Sequence, residues 1–205
     1  RLLIFTLLAL GVVAAGAGYA VFVHMTRDLP DYQQLAAYEP AMVTRVQAGD
    51  GRLLAEFAVE NRVFVPITAI PKRVIQAFLS AEDKNFYSHP GIDLQGIARA
   101  TIQNAMAIGS NRRPAGASTI TQQVAKNFLL SNEVSIERKV KEAVLAYRIE
   151  QAFSKNRILE LYLNEIYLGF NSYGVAAAAL NYFNRPLNEL TIAEAAFLAG
   201  LPKAP

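Results

Sequence analysis

The chain has 205 residues, enough for one domain with a real core plus an appendage. Its hydrophobic share of 53% is high for a soluble domain and implies that some apolar surface meets lipid. Twenty Lys+Arg against 17 Asp+Glu leave a net charge of +3, too mild for a nucleic-acid binder but suited to anionic lipid or phosphate; the absence of cysteine excludes a disulfide framework, a thiol nucleophile and a Cys-based metal site, and two isolated histidines exclude a zinc centre built on several imidazoles.

No charged residue falls between Leu2 and Val23. Those residues, at about 1.5 Å each, reach roughly 33 Å as a helix, enough to cross a bilayer core of about 30 Å. Ala15-Gly16-Ala17 resembles a signal-peptide cleavage site, but the apolar run continues past it through Ala20, Val21, Phe22 and Val23. An uncleaved anchor over residues 1–25 is therefore the expectation, with Arg1 pointing to a cytoplasmic N-terminus. The opening Arg1, in place of Met, leads us to expect residues upstream. Residues 26–40 are polar with two prolines and read as a juxtamembrane linker, followed by one domain over 41–205.

Polar and apolar residues alternate over 42–65 around a turn at 48–51, which predicts a small hairpin with Val43, Val46, Leu54 and Phe57 facing inward. After Pro71 the pattern turns helical, with Val74, Ala77, Phe78 and Ala81 on one face leading to Glu82 and Asp83. Phe86, Tyr87, His89 and a Pro-Gly turn follow. Carboxylates where a helix breaks into a turn can face a cleft and move protons, or can be solvated helix-end charges.

Asp93 is a predicted cap for a helix from 94 to 108, and the loop 110–117 carries Arg112 and Arg113. Thr119 with Gln122 matches a capping box, so a helix begins there whose N–H groups form a ready anion site near Ser118. On that helix Gln123, Lys126 and Asn127 share a polar face. Residues 136–153 read as a helix with Ile136, Val140, Ala143 and Tyr147 inward, and with Arg138 and Glu142 spaced as a surface ion pair. Helices over 155–168, 174–183 and from the Thr191/Glu194 capping box to Gly200 complete a mainly α chain. Ile102, Met106, Ile108, Phe128 and Leu129 form either a lipid-dipping patch or ordinary core.

Five ordered motifs carry a resemblance. They are Glu82-Asp83-x-x-Phe86-x-x-His89-x-Gly91; Gly116-x-Ser118-Thr119-Ile120-Thr121-Gln122-Gln123 with Lys126-Asn127; Arg138-Lys139-x-x-Glu142; Ile158-Leu159-Glu160-x-Tyr162-Leu163-Asn164; and residues 169–183 with Tyr173-Gly174 and Tyr182-Phe183. The chain resembles the peptidoglycan glycosyltransferase domain, glycosyltransferase family 51, found in the N-terminal half of class A penicillin-binding proteins. Ala117 stands where the family often has Gly. The chain stops before the final helix such domains usually have, and no transpeptidase domain is read within it, so a fragment is expected.

The resemblance implies a lysozyme-like, mainly helical domain with a small β-hairpin behind one transmembrane helix, on the outer face of the bacterial cytoplasmic membrane. It implies polymerisation of lipid II onto a growing glycan chain, inverting, with loss of undecaprenyl diphosphate. Glu82 is then the general base and Glu142 a second carboxylate at the catalytic centre. Asp83, Phe86, His89, Ser118, Thr119, Gln122, Gln123, Lys126, Asn127, Arg138 and Lys139 are the implied substrate-binding set, with Lys126, Arg138 and the helix end at Ser118–Thr119 meeting the diphosphate. Partners are lipid II, the glycan chain, membrane lipid and the cell-wall synthesis machinery, and no nucleic acid. No cofactor is obligate, no protein metal site is read, and a divalent cation (Mg2+) is compatible with the diphosphate. The rivals are a lytic transglycosylase, which needs no cationic cradle, and a membrane-anchored scaffold with vestigial motifs.

Overall fold

The computed structural model describes residues 2–38, 44–50, 52–57, 61–109, 116–131, 133 and 135–203. The helices among them are α1 (Leu2–Met25), α2 (Lys72–Glu82), α3 (Leu94–Met106), α4 (Ile120–Leu129), α5 (Ile136–Ala152), α6 (Lys155–Glu165), α7 (Val175–Phe183) and α8 (Ile192–Gly200). Four short strands accompany them: β1 (Thr44–Gln47), β2 (Leu53–Phe57), β3 (Asn61–Arg62) and β4 (Ser172–Tyr173). The chain is mainly α, as the helical periodicity requires.

Side-chain oxygens set most helix starts. Asp93 accepts from the Gly96 N–H, Ser135 from Arg138 and Ser154 from Arg157, while Thr119/Gln122 and Thr191/Glu194 form complete capping boxes. Pro71 is the residue before α2 rather than its first member, with extended backbone at ψ 139°.

The hairpin forms as β1 and β2, antiparallel with Thr44 opposite Phe57 and Val46 opposite Ala55; a register shift before Gln47 leaves Leu54 as the extra residue of a bulge. Val43 lies outside the described residues, as do the side chains of Val46, Leu54 and Phe57. β3 pairs in parallel with β4, about a hundred residues away in sequence. Arg62 secures that join: it forks onto Glu165, stacks 4.6 Å over the Tyr173 ring and reaches the Tyr38 hydroxyl.

α2 packs on α8, and α4 packs on both α5 and α6. Ile120, Val124, Leu145, Ile149, Ile158, Leu159 and Tyr162 fill the space between them. Leu35, in the stretch read as a linker, is buried in the same core, with Leu29, Tyr32 and Tyr38 packed against it.

Two apolar assignments differ from the sequence reading. On α5 the buried face is Glu142, Leu145, Ala146 and Ile149, while Ile136 is 79% and Tyr147 52% exposed. The helix has two opposed apolar stripes, and periodicity cannot tell which one meets the core. Of the proposed lipid-dipping set, Phe128 and Leu129 pack against the core, whereas Ile102, Met106 and Ile108 are exposed. Ala81, expected inward on α2, is exposed as well. Arg112 and Arg113 lie outside the described residues.

Gly174 starts α7 at φ +81°, and a Cβ there would lie 2.7 Å from the Asn164 carbonyl oxygen. Both conformation and space exclude a side chain. Gly174→Ala is expected to lower stability by about 2 kcal/mol, measured by urea unfolding.

Candidate active site

Val74 and Phe78 are fully buried on α2, and Glu82 is the next position on that stripe, so the core face of the helix ends in a carboxylate. Asp83 then leaves the helix, although its N–H still donates to the Leu79 carbonyl at 2.9 Å. Glu82 Oε2 accepts from the Gln123 amide on α4 at 2.9 Å, and its Oε1 is buried with no hydrogen-bond partner among the described residues. The Tyr162 hydroxyl on α6 is likewise buried without a partner among them. Burial first, and the charges of Glu82 and Asp83 next, push the Tyr162 phenol well above its usual range, so this ring presents a neutral hydroxyl to the site.

Asp83 points the other way. Its carboxylate accepts from His89 Nε2 at 2.9 and 3.0 Å and from the Ile120 N–H, the first of α4, at 3.0 Å. His89 Nδ1 accepts from the Gly91 N–H at 3.2 Å, which assigns the proton on the neutral ring to Nε2. Gly91, at φ +94°, lies so close to α5 that a Cβ would sit 2.8 Å from the Ala146 carbonyl oxygen; its own carbonyl accepts from the Thr119 hydroxyl at 2.6 Å. Phe86 is buried beneath the turn, with Lys155 Nζ 4.4 Å above its ring and donating to the His89 carbonyl. Asp83, His89 and Phe86 thus hold the turn and α2 against α4 and α5.

This alters the expected anion site. At the start of α4 the Ile120 N–H goes to Asp83, the Thr119 N–H to Gln122 Oε1 and the Gln122 N–H to the Thr119 hydroxyl. The helix end already holds an anion, and it is the protein's own Asp83. Thr119 and Gln122 serve the cap.

The cations divide into two groups. Glu142, 2% exposed, accepts from Arg138 Nη1 and, at 2.7 Å, from Lys139 Nζ, so it is a buried counter-ion rather than half of a surface pair. Lys139 also donates to the Ser118 hydroxyl at 2.8 Å. Lys126 lies further along α4, about 10 Å beyond Thr119 at 1.5 Å per residue. Lys126 lines the cavity on the Gln123 side, whereas Ser118, the partner of Lys139, lines the one at Glu82.

Glu82 lines one polar cavity, and Gln123, which bonds it, lines another. The first, about 270 Å³, is lined by Glu82, Asp83, Lys84, Arg99, Gly116 and Ser118 among others. The second, about 420 Å³, has Gln123, Lys126 and Asn127 on one side and Tyr167 and Tyr173 on the other. Gln123 links them, lining the second while holding Glu82 in the wall of the first. Lys84, Arg99 and Tyr167 are named in no motif of the sequence, whereas Tyr173 belongs to the fifth; Arg99 comes from α3 and Tyr173 from β4. Among the described residues no three His, Asp or Glu side chains gather as metal ligands. Asp83 is committed to His89 and Ile120.

Comparison with known proteins gives the class. A family model described as Transglycosylase matches residues 50–205, and the chain belongs to that family. Over 195 residues it is 58% identical to penicillin-binding protein 1A of Rickettsia felis, covering 94% of this chain and 25% of that protein. Over 177 residues it is 52% identical to penicillin-binding protein 1A of Neisseria flavescens, covering 86% and 22%. A crystal structure of penicillin-binding protein 1A from Haemophilus influenzae aligns with 82% of this chain and 15% of its own at 29% identity, with a TM-score of 0.38. The chain thus spans about a quarter of the length of the curated relatives it matches.

Asp93 caps α3 and lines the first cavity. Burial works to raise its pKa, but the Gly96 N–H, the Asn85 amide and nearby positive charge outweigh it and hold the carboxyl below its usual range. A depressed folded-state value gives stability above the unfolded pKa, lost as pH falls through the folded value. Asp93→Ala is expected to cost about 1 kcal/mol at neutral pH, with the difference from wild type shrinking below about pH 4 in urea titrations.

Proposed function

We propose that this chain is the glycan-polymerising part of a membrane-anchored peptidoglycan glycosyltransferase. It joins lipid II to a growing glycan chain by β-1,4 links and releases undecaprenyl diphosphate. The observation that carries the reading is that Glu82 lines one polar cavity and is bonded by Gln123, which lines a second, with cationic side chains in each, in a chain of the Transglycosylase family. A reaction with two large substrates needs a site on each side of the base.

In this reading a Glu82 oxygen takes the proton of the acceptor sugar's 4-hydroxyl as that oxygen attacks the donor's anomeric carbon. The bond from that carbon to the diphosphate breaks, the diphosphate leaves with the electron pair, and configuration inverts. The leaving group needs charge neutralisation more than a proton, which Lys139 with Ser118, Lys84 and Arg99 supply beside the first cavity. Gln123 holds the base, Lys126 and Asn127 serve the second cavity, and Glu142 keeps Arg138 and Lys139 in place. Asp83, His89 and Phe86 position the turn that carries Glu82.

Helix α1, by length and composition, has a segment at Leu8–Met25 able to cross a membrane, and its side chains are exposed except the half-buried Met25. We read it as a single-pass anchor in the bacterial cytoplasmic membrane with the rest of the chain on the outer face. Exposed Ile102, Met106 and Ile108 supply a second contact with lipid. Confining enzyme and lipid-borne substrates to one surface raises their effective concentration.

Incubating wild type and Glu82→Gln with fluorescent lipid II tests the assignment. The variant is expected to lose at least about a hundredfold in polymerisation rate with an unchanged melting temperature. Equal rates would remove Glu82 from the chemistry, and shortening of preformed glycan without polymer would assign the site to a lytic enzyme.

A further inference from the structure

The fourth sequence motif lies on α6, and two of its polar members are tied to distant backbone. Asn164 accepts from the Val65 N–H at 2.8 Å and donates to the Val65 carbonyl at 2.9 Å, and Glu160 accepts from the Ile67 N–H at 2.8 Å. Ile158, Leu159 and Leu163 are fully buried in the core. Those contacts fix α6 in place and account for each of these residues. Tyr162 is different. Its ring meets Phe78 edge-on with centroids 6.2 Å apart, and at 1% exposure a phenylalanine would fill the same space. Burying an unpaired hydroxyl is unfavourable, so packing gives no reason for a tyrosine here.

We propose that Tyr162 is a positioning residue for the base, its hydroxyl donating a hydrogen bond to Glu82 Oε1. The inference rests on the role given to Glu82 above and names a second group that holds it.

Three observations select that pairing. Among the described residues two buried side-chain polar atoms lack a hydrogen-bond partner, Glu82 Oε1 and the Tyr162 hydroxyl. One is an acceptor and the other a donor, so each supplies what the other needs. One buried water or a small side-chain shift closes the pair, as hydrogen bonds in unliganded catalytic sites are often long.

The second observation is placement. Val74, Phe78 and Glu82 follow one stripe of α2, so the ring that lies against Phe78 is one helical turn from the base. The phenol feels the Glu82 charge there: burial first, then Glu82, then Asp83 push its pKa well up, which keeps the proton it would donate. The third is the competition between the two carboxylates. Asp83 already accepts from His89 and from the Ile120 N–H, whereas the bond recorded for Glu82 is the one from Gln123, on its other oxygen. With Gln123 on Oε2 and Tyr162 on Oε1, the carboxylate is held from two helices, and each oxygen keeps a lone pair for the acceptor's proton.

The test uses the full chain in nanodiscs. Tyr162→Phe keeps the ring against Phe78 and removes the hydroxyl alone. Its kcat for lipid II polymerisation is expected to fall about tenfold while KM changes less than about twofold, because Tyr162 lines neither polar cavity. A ring that serves packing alone would leave both constants in place.

A second readout needs no turnover. With an isotope label at the phenol carbon of tyrosine, NMR follows the Tyr162 hydroxyl proton. It is expected as a slowly exchanging downfield resonance that is lost in Tyr162→Phe and moves upfield in Glu82→Gln. A kcat equal to wild type, a loss carried by KM alone, or a hydroxyl resonance indifferent to Glu82→Gln would overturn the proposal. If the wild type makes no polymer and the resonance still moves with Glu82→Gln, the bond stands and the glycosyltransferase reading falls instead.

Discussion

The site depends on one carboxylate that does no chemistry in our reading. Asp83 is 6% exposed and bridges three parts of the chain: the end of α2, the imidazole of His89 and the first N–H of α4. A buried charge of this kind is tolerated only if every lone pair has a donor. Here a neutral imidazole N–H and the positive end of a helix dipole supply them. Because Asp83 is fixed, the residue before it has little freedom, and Glu82 is held in the wall of the first cavity. The two adjacent carboxylates part company, Asp83 bonding His89 and the start of α4 and Glu82 bonding Gln123 in the cavity wall.

The same economy governs the cations. Arg138 and Lys139 would repel each other beside a cleft, and Glu142, buried between them, lets both stay there. Glycine 91 completes the arrangement, since only a residue without a Cβ lets the turn rest on the α5 backbone at Ala146. Removing any of these would loosen the support of the base rather than the base itself.

Much of this was legible in the sequence. The helix starts could be read because Thr119 with Gln122 and Asp93 satisfy backbone groups locally, within three residues. The stripe from Val74 through Phe78 pointed to Glu82 because a helical period extends one turn at a time. What could not be read depended on distant partners. The Ile120 N–H looks free until a residue from another helix fills it. The two stripes of α5 look alike until α4 and α6 choose between them. Lys84 and Tyr167 reach the cavities from loops that leave no periodic trace, and the two-residue pairing of β3 with β4, which carries Tyr173, is too short to show a period. The face of α5 that periodicity assigned to the core is, for that reason, the one that carries exposed Ile136 and Tyr147.

The central claim is that the charge on Asp83, shared between His89 and the start of α4, holds Glu82 in register. Asp83→Asn keeps the shape and removes the charge. Urea unfolding and lipid II polymerisation measured on this one variant test it most directly. The account expects stability to fall by about 2 kcal/mol and turnover by at least about tenfold, while Glu82 itself is untouched. A variant as stable and as active as wild type would contradict it.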